Sequence, residues 1–136
     1  MINRKRKTEK KKQEDLLDEL YRDCVRKRAM KIANGCQVKI RCKNPIASYT
    51  MLHTAHMFGR GNDTTRWDLR NSVGACYLCH AYLHAHRFDQ AAIFRRILGD
   101  AEFDDLSSIA HMTTKDFPID LQLKEVELRQ LLKEVE

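Results

Sequence analysis

The chain has no long apolar run. No stretch approaches the roughly 18 apolar residues of a membrane-spanning helix, so neither a span nor a membrane partner is expected. No apolar stretch follows the basic N-terminus MINRKRKTEKKK, which is therefore not expected to act as a secretory signal. The expected setting is intracellular and reducing, where disulfides are rare. The five cysteines then read as metal ligands or buried thiols. Internal repeats are missing, as is low complexity outside the basic tail. At 136 residues the chain suits one domain and is too short for two with linkers. Its balance of 43% hydrophobic and 32% charged residues is that of a globular chain with a charged surface.

Acidic residues are scarce through the middle. Residues 24–99 hold thirteen Lys or Arg against three acids, and residues 4–12 hold seven against one. Residues 13–23 hold one against five, and residues 100–136 hold four against ten. The net charge of +6 thus hides a basic block between acidic arms. Such a block fits a polyanion, most simply nucleic acid. The plainer alternative is a solvated surface, but here arginines lie among candidate metal ligands. Residues 1–13 read as a flexible basic arm adding salt-sensitive affinity for phosphates.

Residues 14–33 predict a helix, with Leu16, Leu17, Leu20, Tyr21, Cys24 and Val25 at helical spacing and Asn34-Gly35 as its stop. Cys24 lies on that apolar stripe and reads as core. Residues 36–48 predict an irregular loop, residues 49–54 a β-prone segment whose strand ends near His56, residues 59–71 a long loop, and residues 72–76 a second strand. One helix is expected from about Leu78 to Leu98, a short one near 101–110, and a last one from about Ile119 to Val135. That last helix could pair with its own copy or pack on the domain. The acidic segment 100–136 also offers a surface for a protein partner.

Four cysteines pair by spacing. Cys36-x5-Cys42 and Cys76-x2-Cys79 place two thiolates on each of two loops, enough to close a tetrahedron around structural Zn²⁺. Such a site supplies stability that a small β-β-α unit lacks. Four independent buried thiols are the plainer alternative. A redox pair at Cys76/Cys79 lacks the βαβ surroundings it needs. CYLCH also matches the C-x-x-C-H haem attachment pattern, but that attachment normally requires export.

Five of the six histidines fall between 53 and 86. His80 and His84, four apart at a helix start, project from one face and suit a divalent ion. His111 and His86 read as ordinary surface histidines, and Trp67 as loop core.

The run LHTAHMFGRGNDTTRWDLRNSVGACYLCHAYLHAH resembles the HNH endonuclease superfamily, the ββα-metal nucleases. Within it the likeness is to phage-type recombination nucleases of the Rap and NinG kind. Their pattern has a His ending a strand, an Arg four residues later, R-W-D-x-x-N, then C-x-x-C-H-x-x-x-H. The matching positions are His56, Arg60, Arg66-Trp67-Asp68 with Asn71, Cys76, Cys79, His80 and His84. The resemblance covers about residues 36–90.

It implies an α+β fold: a small zinc-stabilised ββα-metal core within 14–99, flanked by helices. It implies a metal-dependent DNA endonuclease. His56 would be the general base, and Asn71 would hold the loop and orient His56. His80 and His84 would bind a catalytic Mg²⁺, Mn²⁺, Ni²⁺ or Zn²⁺. Arg60 and Arg66 would clamp DNA phosphates. Many relatives carry an Asp or His ligand immediately before the base, where this chain has Ala55. His53 and Asp63 are candidate replacements, although strand alternation puts His53 and His56 on opposite faces. The competing reading is a non-enzymatic, zinc-ribbon-like DNA-binding protein, which needs the cysteines but not the histidines.

Overall fold

The basic N-terminal segment is the first place where structure departs from expectation. The computed structural model describes residues 6–136, so residues 1–5 of the expected arm lie outside it. Helix α1 spans Glu9–Ala33 and takes in residues 9–13 of that arm. Thr8 caps it by accepting the Lys11 N–H at 3.1 Å. Asp15 pairs with Lys7 at 2.8 Å and with Lys11 at 3.1 Å. A cap and two ion pairs offset the repulsion between neighbouring lysines.

At its other end α1 stops where the sequence predicts. Asn34 adopts the left-handed conformation, with φ of 53°, and donates to the Met30 carbonyl at 3.1 Å. Gly35 follows with φ of 138° and donates to Ala29 at 3.3 Å.

The loop after α1 runs beside the sheet. Gln37 donates its backbone N–H to the Gly74 carbonyl at 2.8 Å, and its side chain accepts the Gly74 N–H at 2.9 Å. Residues 49–51 form a short 3-10 turn in place of the expected strand, because the Ser48 hydroxyl caps it through the Thr50 N–H. Strand β1 is His53–His56 and strand β2 is Ser72–Ala75. They are antiparallel, with His53 opposite Ala75 and His56 opposite Ser72.

Alternation along these strands separates two faces. Thr54, His56, Ser72 and Gly74 turn toward α1. Gly74 marks the closest approach, since a Cβ built there would lie 2.5 Å from the Ala29 Cβ. His53, Ala55, Val73 and Ala75 turn toward helix α2, Tyr77–Ala85.

The long helix expected from Leu78 is two helices. The chain leaves helical geometry at His86, with φ of −129° and ψ of 75°, and α3 then runs Arg87–Leu98. Helix α4, Asp100–Ala110, anchors the 59–71 loop: its Ile109 and Ala110 carbonyls accept from Thr64 at 2.8 Å and Asn62 at 2.7 Å. Helix α5, Leu121–Val135, starts at an Asp120 cap and lies along α1.

The described residues therefore form an α+β arrangement of five α-helices and one two-stranded sheet. None of these helices is long and apolar enough to cross a membrane. One core gathers the α2-facing side of the hairpin with Leu83, Ile93, Phe94 and Phe103. The other joins α1 to Trp67 and Leu128 of α5. Cys24 sits in the second core, donating to the Leu128 carbonyl, and burial pushes its thiol up to about 11. It is core, as its place on the stripe implied. Each large side chain buried in these cores contributes about 1.5–3 kcal/mol of transfer free energy.

Candidate metal centre and histidine cleft

Cys36, Cys42, Cys76 and Cys79 come together, with all four sulfurs within 4.8 Å of one another. Cys42 lies 3.7 Å from Cys79 and 3.7 Å from Cys76. A disulfide needs about 2.05 Å, so these are thiols. A tetrahedron with Zn–S bonds of about 2.3 Å has edges of about 3.8 Å, so the sulfurs already stand at ligand spacing. The donor set and spacing fit a structural metal such as zinc.

Local structure explains the assembly. Cys76 is the N-cap of α2 and Cys79 lies in its first turn, where unpaired N–H groups favour thiolates. Burial pushes the Cys79 thiol up. N–H groups of Arg41 and Ile40 and the neighbouring thiols outweigh it, leaving the group below the ordinary thiol range. The wider five-residue gap of the first pair is accommodated by Lys39, which adopts a left-handed φ of 56°. Arg96 of α3 holds the same loop by donating to the Val38 carbonyl at 2.8 Å.

The histidines divide between the two faces of the hairpin. His56 ends β1 on the α1 side, in a small cleft of about 80 Å³ lined by Asp18, Tyr21, Arg22, Thr54, Arg60 and Arg66. Its ring lies 6.1 Å from the Tyr21 ring, and its carbonyl accepts from Gln90 at 2.7 Å. Burial, then the charge of Arg60, hold its pKa below the ordinary imidazole value. Both effects favour the neutral imidazole over the charged one.

Asn71 is completely buried. Its Oδ1 accepts the Phe58 N–H at 2.9 Å, and its Nδ2 donates to the Phe58 carbonyl at 2.9 Å. It holds the loop that leaves His56, as expected. Its side-chain bonds go to that backbone and not to the imidazole, so any orienting effect on His56 is indirect.

His80 and His84 meet on α2, with Nε2 atoms 3.1 Å apart. His53 joins them, its Nδ1 lying 2.9 Å from the Nδ1 of His80. Burial lowers the His80 pKa, and the charges of His84, His53 and His56 lower it further.

The two arginines differ from each other. Arg66 is 13% exposed and pairs with Asp18 at 2.7 Å and Glu14 at 2.8 Å. It also lies over the Trp67 ring. It ties the loop to α1 and is not free to clamp a phosphate. Arg60 is 65% exposed and makes one bond to Asp18, at 2.9 Å. Asp63 lines a different pocket, with Lys10, Trp67 and Leu121, away from the histidines.

Asp18 went unremarked as a sequence feature. It accepts from Arg66, from Arg60 and from the Trp67 indole at 2.9 Å. Burial pushes its carboxyl up, but bonds from Arg66, Trp67 and Arg60 outweigh it and leave the group below the usual carboxylate range. The one signal was Glu14 and Asp18 at helical spacing, four apart on one face. Tyr21 lies on the apolar stripe of α1, yet its hydroxyl bonds the Ser72 hydroxyl and the Asp68 carbonyl, both at 2.7 Å.

Comparison with known protein families, curated proteins and solved structures found no match.

Proposed function

We propose that this chain is a metal-dependent DNA endonuclease of the HNH, or ββα-metal, class. The observation that carries the reading is a single juxtaposition. A neutral, half-buried His56 ends β1, buried Asn71 braces the loop after it, and His80 and His84 stand on the helix that follows the hairpin. The Cys36, Cys42, Cys76 and Cys79 cluster would hold zinc beneath that helix and fix its start.

Phosphodiester hydrolysis needs an activated water, neutralised charge on the phosphate and a stabilised leaving oxygen. His56 serves the first, since an imidazole kept neutral by burial and by Arg60 accepts a proton from water at physiological pH. Tyr21, packed beside the ring, limits its motion. Arg60, at the mouth of the cleft, exchanges its exposed bond with Asp18 for a phosphate oxygen. His80 and His84 would hold the divalent ion. When bound, that ion neutralises the phosphate and stabilises the leaving oxygen.

The charged surface supports the same partner. Arg70 pairs with Glu102 and Asp105 of α4, and Arg95 with Asp100 and Asp104, so the acidic helix neutralises part of the basic block. Lys39, Arg41 and Lys43 in the cysteine loop and Arg87 at the start of α3 join none of the ion pairs among the described residues. They flank α2, where a phosphate backbone approaching the histidines would pass.

The test is relaxation of supercoiled plasmid by the zinc-loaded protein with Mg²⁺, Mn²⁺ or Ni²⁺, each against EDTA. Metal-dependent nicking is expected. Tight, salt-sensitive DNA binding with no cleavage under any metal would overturn the reading in favour of a zinc-stabilised binding module.

A further inference from the structure

We propose that His53 is the third ligand of an ion held by His80 and His84, and that this three-imidazole site takes a borderline transition ion such as Ni²⁺, Co²⁺ or Zn²⁺ in preference to Mg²⁺. The inference rests on the nuclease reading only for its catalytic consequence. The site itself follows from the geometry of the hairpin.

Ala55 precedes His56 and offers only a methyl group, buried against α2. Side chains on a strand repeat their direction every second residue. Residue 53 therefore faces the same way as residue 55, toward α2. The register places His53 opposite Ala75, immediately before Cys76 and the start of α2. A donor moved back by two positions on β1 thus arrives beside the first turns of that helix. Strand alternation separates His53 from His56, and by the same rule it delivers His53 to His80.

The three rings are neighbours, although their nitrogens do not converge on one point as the four cysteine sulfurs do. His53 and His80 rings stand 5.1 Å apart between centroids, and His80 and His84 rings 4.7 Å apart. Their facing nitrogens are 2.9 and 3.1 Å apart. A tetrahedral ion with metal–nitrogen bonds of about 2.0–2.1 Å spaces its ligands about 3.3 Å apart. His80 is the central ring and offers a different nitrogen to each neighbour. To hold one ion, that ring would have to turn so that a single nitrogen joins those of His53 and His84. His84 is exposed and free to follow. The His53 ring is steadied by an edge contact with Tyr77 at 5.9 Å.

The donor chemistry sets the metal. Three imidazoles with no carboxylate are nitrogen donors that suit Zn²⁺, Ni²⁺ and Co²⁺, whereas Mg²⁺ demands oxygen ligands and keeps its water.

Protein carrying one equivalent of zinc, to fill the cysteine cluster, is titrated with Ni²⁺ and separately with Mg²⁺ by calorimetry. Imidazole ¹⁵N shifts are recorded in parallel. Wild type is expected to take one Ni²⁺ and to shift the His53, His80 and His84 rings together. His53→Ala is expected to bind Ni²⁺ at least tenfold more weakly, His53→Asp to recover part of the loss, and His111→Ala to bind as wild type. Mg²⁺ should give no comparable isotherm. An unshifted His53 ring on Ni²⁺ binding would overturn the proposal even if every variant misfolds. So would a folded His53→Ala protein with wild-type affinity, or no second ion in wild type. Three-ring binding without DNA cleavage upholds this site and sinks the nuclease reading. Cleavage with an indifferent His53 does the reverse.

Discussion

Removing the metal from the four-cysteine cluster should cost the protein much of its thermal stability. Cys79 is fully buried at the start of α2, and Cys36 and Cys42 lie on the loop that covers the same core. The cluster is thus the cross-link between that loop and the helix carrying His80 and His84. Structural zinc contributes roughly 10–16 kcal/mol of apparent binding free energy in small finger peptides at pH 7. This chain has a second core around α1 and α5 that holds none of the four cysteines, so it depends on zinc less completely. If only about 3 kcal/mol of that binding reaches the folding equilibrium, the midpoint for a domain of this size falls by about 10 °C. Thermal melts followed by circular dichroism, before and after chelation and again after restoring zinc, measure the effect. Native mass spectrometry counts the ion. Cys79→Ala should mimic the chelated protein and lose the response to zinc. The difference between the zinc-loaded and the chelated protein should shrink in acid, because four thiols must release their protons to bind. A midpoint moving by less than about 2 °C, with no zinc in the native mass, would refute the reasoning.

Other consequences are as direct. Asp18→Ala strips Arg66 of its main partner while Arg66 stays 13% exposed, so urea denaturation should show a loss of about 2–4 kcal/mol. Because the folded Asp18 pKa is depressed, its contribution is present above the unfolded carboxylate value and is lost as pH falls through the folded one. His56 has a folded pKa below its unfolded value, so protonation opposes folding, and the acid limb of a pH–cleavage profile should lie below 6.5. Arg60→Gln should move that limb upward; an unmoved limb would remove His56 from the titration. Gly74→Ala sets a methyl 2.5 Å from the Ala29 Cβ and should cost about 1–3 kcal/mol, with Ala29→Gly restoring part of it.

Local signals in this chain were legible, and contacts between distant segments were not. Asn34-Gly35 announces the end of α1 because left-handed residues are rare and chemically marked. The cysteine pairs announce a cluster because metal ligation imposes spacing. His56 stands at the end of β1 and Asn71 is buried on the loop that closes the hairpin, the local positions that the sequence suggests. The structural role of Arg66 is hidden in the sequence because its partners, Glu14 and Asp18, lie about fifty positions earlier and nothing in spacing links them. His53 is a candidate ligand in the sequence that strand alternation argues against, since the face it turns to is known only once α2 is seen to cross the hairpin. The break at His86 has no Gly or Pro to mark it. The helical start at Glu9 depends on a threonine cap and two ion pairs outweighing a lysine run.

The most direct test of the account compares wild type with His56→Ala on the same plasmid and the same metals, measuring cleavage and DNA affinity together. His56 lines an open cleft, and the bond its backbone carbonyl accepts from Gln90 does not depend on the imidazole, so the variant should fold. The account predicts that cleavage falls by about a hundredfold or more, as for a lost general base, while DNA affinity and its salt dependence stay unchanged. Equal cleavage by the two proteins would contradict it.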